Sequence, residues 1–413
     1  MKVDIIGRKL IKPCTPTPQH LNQFKLSLTD ELVPAMNYVT IILFYPPNPN
    51  PKILSQLQES LANILPQFYP LAGRYIKKDH LVDCNDEGAE FVEAEATDIE
   101  LMDFIYTKNN HEQLNYLHSC QTYNVDKPTD PLLSVQITKF KCGGLSISTS
   151  MSHKISDGSS VGTFIAAWSN ANNNNNAELI IPSYDSRSLF PGINLEYDYQ
   201  PPPNTTVIIK RLLFNKEAIS RLRSKLSPTK FISRALIGVE IAKYGKSREF
   251  YIGQAVNMRG RTIPPLPKHS FGNLSIQCIA ANDTKETGLQ ELVNIIGDAT
   301  EKTISDCAEI LSVGQDRRIK IIVESLANLV KKLESGEMIS NIGFSDMSKL
   351  GFYEADFGWG TPLWIGIELM PGANFTLLMG NKEGDGIEAW VQLNPNDVPY
   401  FEQDEDMKMF TIT

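Results

Sequence analysis

The 413-residue sequence predicts a mixed α/β protein, α+β in its element order and divided into two domains. Three observations predict it. The chain is longer than the roughly 250–300 residues at which a single hydrophobic core stops growing. Strand-like and helix-like apolar periods follow one another in mixed order rather than as a repeating βαβ series. One polar, proline-rich tract separates halves of similar size. Hydrophobic residues make up 42% of the chain and charged residues 21%, a globular mix with enough apolar material for a large core.

In the first half, Ile53 to Leu65 (ILSQLQESLANIL) places apolar residues at helical spacing, and Pro66 ends the run. PLLSVQITKF, the turn KCGG and LSISTSMS predict a hairpin, with alternating apolar positions and two glycines where positive φ can be met. After His153, GSSVGTFIAAWSNA predicts a helix with Asp157 at its N-cap. Asn170 through Asn176, then Pro182, Pro191 and Pro201 to Pro203, predict a surface crossover over 171–205, because proline removes donors from any sheet it enters. The expected domains are therefore 1–170 and 206–413. In the second, TVIIKRLLF and REFYIGQAVNM read as strands, FNKEAISRLRSKL as a helix and IKIIVESLANLVKKLES as a longer amphipathic helix. Strands return in PLWIGIELM, NFTLLMG and GIEAWVQL. Neither G-x-G-x-x-G nor a Walker A sequence is present, so a doubly wound nucleotide fold is disfavoured.

The formal net charge of −9, without a Lys/Arg-rich run, argues against a nucleic-acid partner. The N-terminal MKVDIIGRKLIKP lacks the features of a secretory signal, and nothing approaches the roughly 20 apolar residues of a membrane helix. The expected location is cytoplasmic, with no membrane partner. Cys14, Cys84, Cys120, Cys142, Cys278 and Cys307 show no C-x-x-C spacing, so the expectation is reduced thiols and no metal site.

Of the six histidines only His153 has a carboxylate four residues on, at Asp157. It falls where an apolar strand gives way to a helix, among the small residues Ser152, Ser156 and Gly158, and such edges hold exposed reactive groups on a rigid scaffold. An imidazole of ordinary pKa, near roughly 6.5, takes a proton from an alcohol at cellular pH, a contribution of about 10²–10⁴ in rate. The same residues also suit a histidine packed at a strand end with Asp157 only capping the helix, or an Asp157 that orients the ring as in Ser-His-Asp sites. A serine hydrolase lacks its G-x-S-x-G anchor here. The second landmark, Asp356-Phe357-Gly358-Trp359-Gly360, reads as a glycine-punctuated turn with Phe357 and Trp359 packed beneath it.

Together, His153-Lys154-Ile155-Ser156-Asp157 and the later Asp356-Phe357-Gly358-Trp359-Gly360 resemble the BAHD acyltransferases, whose paired signatures are HxxxD and DFGWG in that order. Phe68 to Arg74 (FYPLAGR), Val82 to Asn85 (VDCN), Gln254 to Arg259 (QAVNMR), Phe271-Gly272-Asn273 and Gly384 to Trp390 (GDGIEAW) resemble the family too, over nearly the whole chain. The SHKI-x-D form and Thr15-Pro16-Thr17-Pro18 are similar to its vinorine-synthase-like (alkaloid O-acetyltransferase) branch.

The resemblance implies a two-domain chloramphenicol-acetyltransferase-like architecture with a channel at the domain interface, entered by coenzyme A from one face and by the acceptor from the other. It implies a monomer that binds no permanent cofactor and uses acetyl-CoA or another acyl-CoA as co-substrate. The acceptor would be a hydroxyl on a plant specialised metabolite such as an alkaloid, activated by His153 without an acyl-enzyme. A malonyl donor would need a cation in the acyl pocket. Asp157 is expected to turn away and pair with Arg259, and Asp356, Gly358, Trp359 and Gly360 to support the site structurally. Lys230, Ser233, Arg234, Asn273 and Asp385 are expected on the cofactor side.

Two departures stand out. Ser345-Asp346-Met347 occupies the place of the family's Thr/Ser-x-Trp, so Ser345 remains a candidate oxyanion donor whereas Met347 donates nothing. The helix after Phe231-Ile232-Ser233-Arg234 is shortened before Ala242-Lys243-Tyr244-Gly245. These departures define the alternative: an altered member of the fold that binds a small molecule, or performs a reaction other than acyl transfer such as cyclisation.

Overall fold

The computed structural model describes residues 1–33, 38–107, 111–119, 129–173, 179–195, 206–223, 232–233, 235–237, 250–282, 289–334, 340–368, 374–404 and 407–408. The chain opens with β1 (Asp4–Ile11), β2 (Gln23–Lys25), α1 (Leu28–Glu31), β3 (Tyr38–Tyr45), α2 (Ile53–Ile64), β4 (Arg74–Ile76) and β5 (Leu81–Asp83). Next come β6 (Ala89–Ala96), α3 (Leu101–Tyr106), α4 (His111–Leu114), β7 (Leu133–Phe140), β8 (Leu145–Ser152), α5 (Gly158–Asn173) and α6 (Ser186–Leu189). They are followed by β9 (Ile208–Phe214), α7 (Lys216–Arg223), β10 (Phe250–Asn257), β11 (Ser275–Asn282), α8 (Leu289–Glu309) and α9 (Gln315–Glu334). The last elements are β12 (Ser340–Asp346), β13 (Trp364–Ile367), β14 (Phe375–Gly380), β15 (Ile387–Leu393) and α10 (Val398–Glu402).

Two compact units result. The first comprises Met1–Gln200, His269–Leu274 and Leu350–Met370, and the second Pro201–Lys268, Ser275–Lys349 and Pro371–Thr413. This partition cuts across the sequence-order division into 1–170, 171–205 and 206–413. Two later segments return to the first unit, and one of them carries the DFGWG residues that the sequence assigns to the second domain.

The first unit is built on a six-stranded sheet of order β1-β6-β7-β8-β3-β13, with β6 and β7 parallel and the other pairs antiparallel. Every residue of β3 (YVTIILFY) and of β8 (LSISTSMS) is buried, so both faces of the central sheet are covered. The helix predicted over Ile53 to Leu65 is α2, and it buries Leu57, Leu61 and Ile64 along one stripe. The predicted hairpin is β7–β8. The late strand β13 pairs with β3, with Trp364 opposite Phe44 and Ile367 opposite Ile41. Its run WIGI has no polar side chain to leave in water, and the edge of β3 is where it is buried: Phe44 and Trp364 stack at 5.1 Å. This long-range pairing draws residues 350–370 into the first unit.

The second unit carries a six-stranded sheet of order β11-β10-β12-β14-β15-β9, with β10–β12 and β12–β14 parallel. Its core joins Leu212, Phe214, Phe250, Ile342, Phe344 and Val391. The predicted strands appear as β9, β10, β14 and β15, and the helices as α7 and α9. The sequence reading leaves α8 out, because its buried stripe of Leu292, Ile296, Thr303 and Cys307 contains a threonine that breaks the apolar period.

Part of the expected crossover over 171–205 lies outside the described residues, at 174–178 and 196–205. The described part packs against the first unit. The buried Glu31 carboxylate accepts backbone N–H bonds from Ile193 (3.0 Å), Asn194 (3.2 Å) and Leu195 (3.2 Å). Among the described residues no helix is long and apolar enough to cross a membrane.

Candidate active site

His153 occupies the turn between β8 and α5. Its neighbours are pinned: the Lys154 ammonium donates to the carbonyls of Glu31 (3.1 Å) and Val33 (2.7 Å), Ile155 is fully buried, and the Ser156 hydroxyl donates to the Ser152 carbonyl at 2.8 Å. The His153 side chain is left half-buried, with access to solvent.

Its ring is oriented by Asn273, whose amide and backbone are engaged on three sides. The Asn273 Nδ2 group donates to the His153 carbonyl (2.8 Å) and to Asp30 Oδ1 (2.9 Å), and the Asn273 N–H donates to the same Asp30 oxygen at 2.9 Å. Both amide hydrogens are thus committed, so Asn273 Oδ1 is the acceptor that faces His153 Nδ1 at 3.0 Å. The network assigns the ring proton to Nδ1 and the lone pair to Nε2, the state of a ring ready to accept a proton. Asp30 is fully buried on α1, and burial pushes its carboxyl above the usual range while the donors from Ser27 and Asn273 pull the other way.

Asp157, four residues on, serves backbone groups. Its Oδ1 accepts the Ser160 N–H (2.9 Å) and hydroxyl (3.0 Å), which caps α5, and its Oδ2 accepts the Leu274 N–H at 3.1 Å. It thereby ties the 269–274 segment, which carries Asn273, to the base of α5. Replacing Asp157 with alanine removes the cap and strands the buried Leu274 N–H, an expected loss of about 2–4 kcal/mol. Asp157→Asn, which keeps the Oδ1 acceptor, should lose less, and urea unfolding of the three proteins checks the order.

Asp356 closes the DFGWG loop. Its Oδ1 accepts N–H bonds from Gly358 (2.7 Å), Trp359 (3.1 Å) and Gly360 (2.9 Å), and both glycines have φ of 101°, a conformation that side chains rarely adopt. Phe357 is buried edge-on against Trp168 at 5.0 Å and stacks with Trp359 at 5.7 Å. Two asparagines at the end of α5 hold the loop: Asn172 Nδ2 donates to the Phe357 carbonyl (2.7 Å) and Asn173 Nδ2 to that of Asp356 (3.2 Å). The loop therefore sits at the far end of α5 from His153, about 24 Å away at 1.5 Å per residue.

The remaining expected residues are scattered. Arg259, in the second unit, is buried, and its Nη1 donates to Asn257 Oδ1 at 3.1 Å. Ser345 is half-buried on β12, opposite Leu377 in the parallel ladder. Ser233 is fully buried, whereas Lys230 and Arg234 lie outside the described residues. Asp385 is exposed in the turn between β14 and β15, exchanging hydrogen bonds with Asn381. Asn273, expected on the cofactor side, has its amide engaged by His153 and Asp30. Asp30 was not read from the sequence. Its only local signal is Ser27-x-x-Asp30, a capping box, which announces a helix start and nothing about residue 273.

Another largely covered acid lies two rungs along the sheet from Ser152. Glu368 accepts a hydrogen bond from the Thr40 hydroxyl at 2.9 Å and lies 3.5 Å from His118 Nε2. Burial pushes its carboxyl up to about 8 from 4.5, against the pull of Thr40. The folded protein holds a proton there that the unfolded chain has released, so this group's contribution is full below pH 4.5 and lost as pH rises through about 8. Glu368→Gln mimics the protonated acid, and it should flatten that slope and raise Tm above pH 8 while changing little in acid. Thermal melts across the range test the sign.

A half-buried histidine whose Nδ1 faces Asn273, set at a strand-to-helix turn beside a mixed six-stranded sheet, is the candidate site of the chain. The model of the Transferase family matches residues 1–230 and 237–408, and the chain belongs to that family, the BAHD acyl-CoA-dependent acyltransferases. Within it the chain falls in the vinorine-synthase-like branch. It is 41% identical, over 99% of its length and 100% of the relative, to the pelargonidin 3-O-(6-caffeoylglucoside) 5-O-(6-O-malonylglucoside) 4'''-malonyltransferase of Salvia splendens. It is 34% identical to vinorine synthase of Rauvolfia serpentina, over 95% of this chain and 94% of that one. The crystal structure of vinorine synthase matches with a TM-score of 0.85 at 31% identity, covering 99% of this chain and 98% of the other. TRI101 of F. sporotrichioides, complexed with coenzyme A and T-2, shares the fold with a TM-score of 0.69 at 20% identity, over 94% and 99% of the two chains. The fold is the two-domain chloramphenicol-acetyltransferase-like one.

Proposed function

We propose that the protein transfers an acyl group from acyl-CoA to a hydroxyl of a small plant metabolite, with His153 Nε2 as general base. The observation that carries this reading is the Asn273 contact, which commits Nδ1 and leaves the opposite nitrogen basic. Nε2 takes the hydroxyl proton as the oxygen attacks the thioester carbonyl. The tetrahedral oxyanion then collapses, expels the coenzyme A thiolate and returns the proton from the imidazolium to that sulfur. The acyl group passes directly between substrates, so the histidine needs no covalent intermediate. Ser345 is the candidate donor to the oxyanion, and Lys230, Ser233, Arg234 and Asp385 remain candidates for the coenzyme A side. Acetyl-CoA is the first donor on the vinorine-synthase-like branch. The Salvia splendens relative, named for malonyl transfer onto a glycoside, supports a malonyl donor as the second reading. The same reading carries a cytoplasmic monomer without a nucleic-acid or membrane partner.

The test is release of free thiol and mass-detected product when purified protein meets acetyl-CoA or malonyl-CoA with a panel of alkaloid alcohols and flavonoid glycosides. Product with one donor identifies the acyl group. Binding of an acceptor without turnover of either thioester, or its cyclisation without thiol release, would replace acyl transfer by the altered-fold alternative.

A further inference from the structure

We propose that Asp30 is a positioning residue for His153, acting through Asn273 to hold the imidazole in the tautomer whose Nε2 is basic; this rests on the acyl-transfer reading above. The carboxylate of Asp30 has four donors on its two oxygens. Oδ2 accepts the Ser27 N–H (3.0 Å) and hydroxyl (2.6 Å), and Oδ1 accepts the Asn273 N–H and Nδ2 group, each at 2.9 Å. A carboxylate only accepts. Asn273 must therefore present its NH₂ to Asp30, and its carbonyl oxygen is the atom left for His153.

The choice matters because an asparagine amide is pseudo-symmetric. Turned over, it would offer NH₂ to Nδ1, demand a lone pair there and move the ring proton to Nε2, where no base remains. The His153 backbone carbonyl, which accepts one Nδ2 hydrogen at 2.8 Å, opposes that turn from one side. Asp30 opposes it from the other, where it accepts the second Nδ2 hydrogen and the Asn273 N–H. It is fully buried, so water cannot substitute for Asn273 as its donor, and a carbonyl oxygen facing Oδ1 would meet an oxygen that already accepts the Asn273 N–H. The neighbouring charged side chains are engaged in other contacts: Glu31 with the backbone of 193–195, Lys154 with the carbonyls of Glu31 and Val33, and Asp157 with Ser160 and Leu274. The aspartate of the HxxxD signature is thus occupied in capping α5, while an aspartate from a distant part of the chain stands behind the ring in the way that the third member of a Ser-His-Asp site does. One asparagine is interposed.

The experiment is a ¹⁵N spectrum of the histidine rings in full-length protein labelled at histidine, with His153→Ala to identify the His153 signals, run beside steady-state kinetics. Wild-type protein in alkaline buffer should show the Nδ1–H tautomer. In Asp30→Asn the Nε2–H form should grow, and kcat should fall between about 10-fold and the 10⁴-fold that a wrong tautomer costs in a Ser-His-Asp site, with KM for acyl-CoA little changed. A folded Asp30→Asn protein whose ring spectrum matches wild type overturns the assignment, as does an Nε2–H ring in the wild type, which needs no variant to fold. The spectrum needs no acyl donor. A wild-type protein that turns over no thioester therefore overturns the functional reading while the ring alone still judges Asp30.

Discussion

His153→Ala should reduce kcat for acyl transfer by at least about 10²–10⁴-fold, the range a positioned general base supplies, while the fold survives. The side chain is half-buried and its ring has one hydrogen-bond partner among the described residues, Asn273, so truncation removes little packing. KM for acyl-CoA should stay within a few-fold, because the imidazole acts on the acceptor's proton and binds the thioester weakly if at all. Thiol release by matched wild-type and variant protein, with circular dichroism to verify folding, decides it. A variant retaining a tenth or more of wild-type turnover would remove the base from His153 and move the search to another group.

The second large effect is on stability. Phe357→Ala is expected to cost about 3–5 kcal/mol, the usual range for deleting a buried aromatic ring. The phenyl ring fills the space between Trp168, Tyr45 and Trp359, with ring centroids at 5.0, 6.0 and 5.7 Å. The Tyr45 hydroxyl, which donates to the Ala355 carbonyl at 2.8 Å, would lose its neighbour. Against a typical total of about 5–15 kcal/mol the loss is large, so denaturant unfolding should be done in the cold. Turnover per folded molecule should change little, since the length of α5 separates this loop from the histidine. Unchanged stability with lost turnover would mean that the loop touches a substrate.

Local order was legible where one segment carries its own pattern. The period of Ile53 to Ile64 gave α2, alternation gave the β7–β8 hairpin, and the strand-to-helix junction placed His153 in an accessible turn. Asp157 was read correctly as a possible N-cap, because capping is decided within four residues. What sequence could not yield is everything decided at long range. Asn273 lies 120 residues from His153 and 243 from Asp30; the sequence marks it only as part of a family-like Phe-Gly-Asn on the cofactor side, and Asp30 sits in a capping box that says nothing of either partner. The compact units divide the chain differently from the expected domains for the same reason. Composition marks where a chain is polar, but strand pairing decides which half a segment joins, and WIGI has the same apolar run whichever sheet receives it.

That late strand has a consequence for how the protein is made. During translation the ribosome delivers β3 long before Trp364–Ile367 emerge, so the nascent chain carries an open, apolar strand flank through most of its synthesis. Pulse-labelled chains halted before residue 350 should depend on chaperones, and release of the full-length polypeptide should end that dependence.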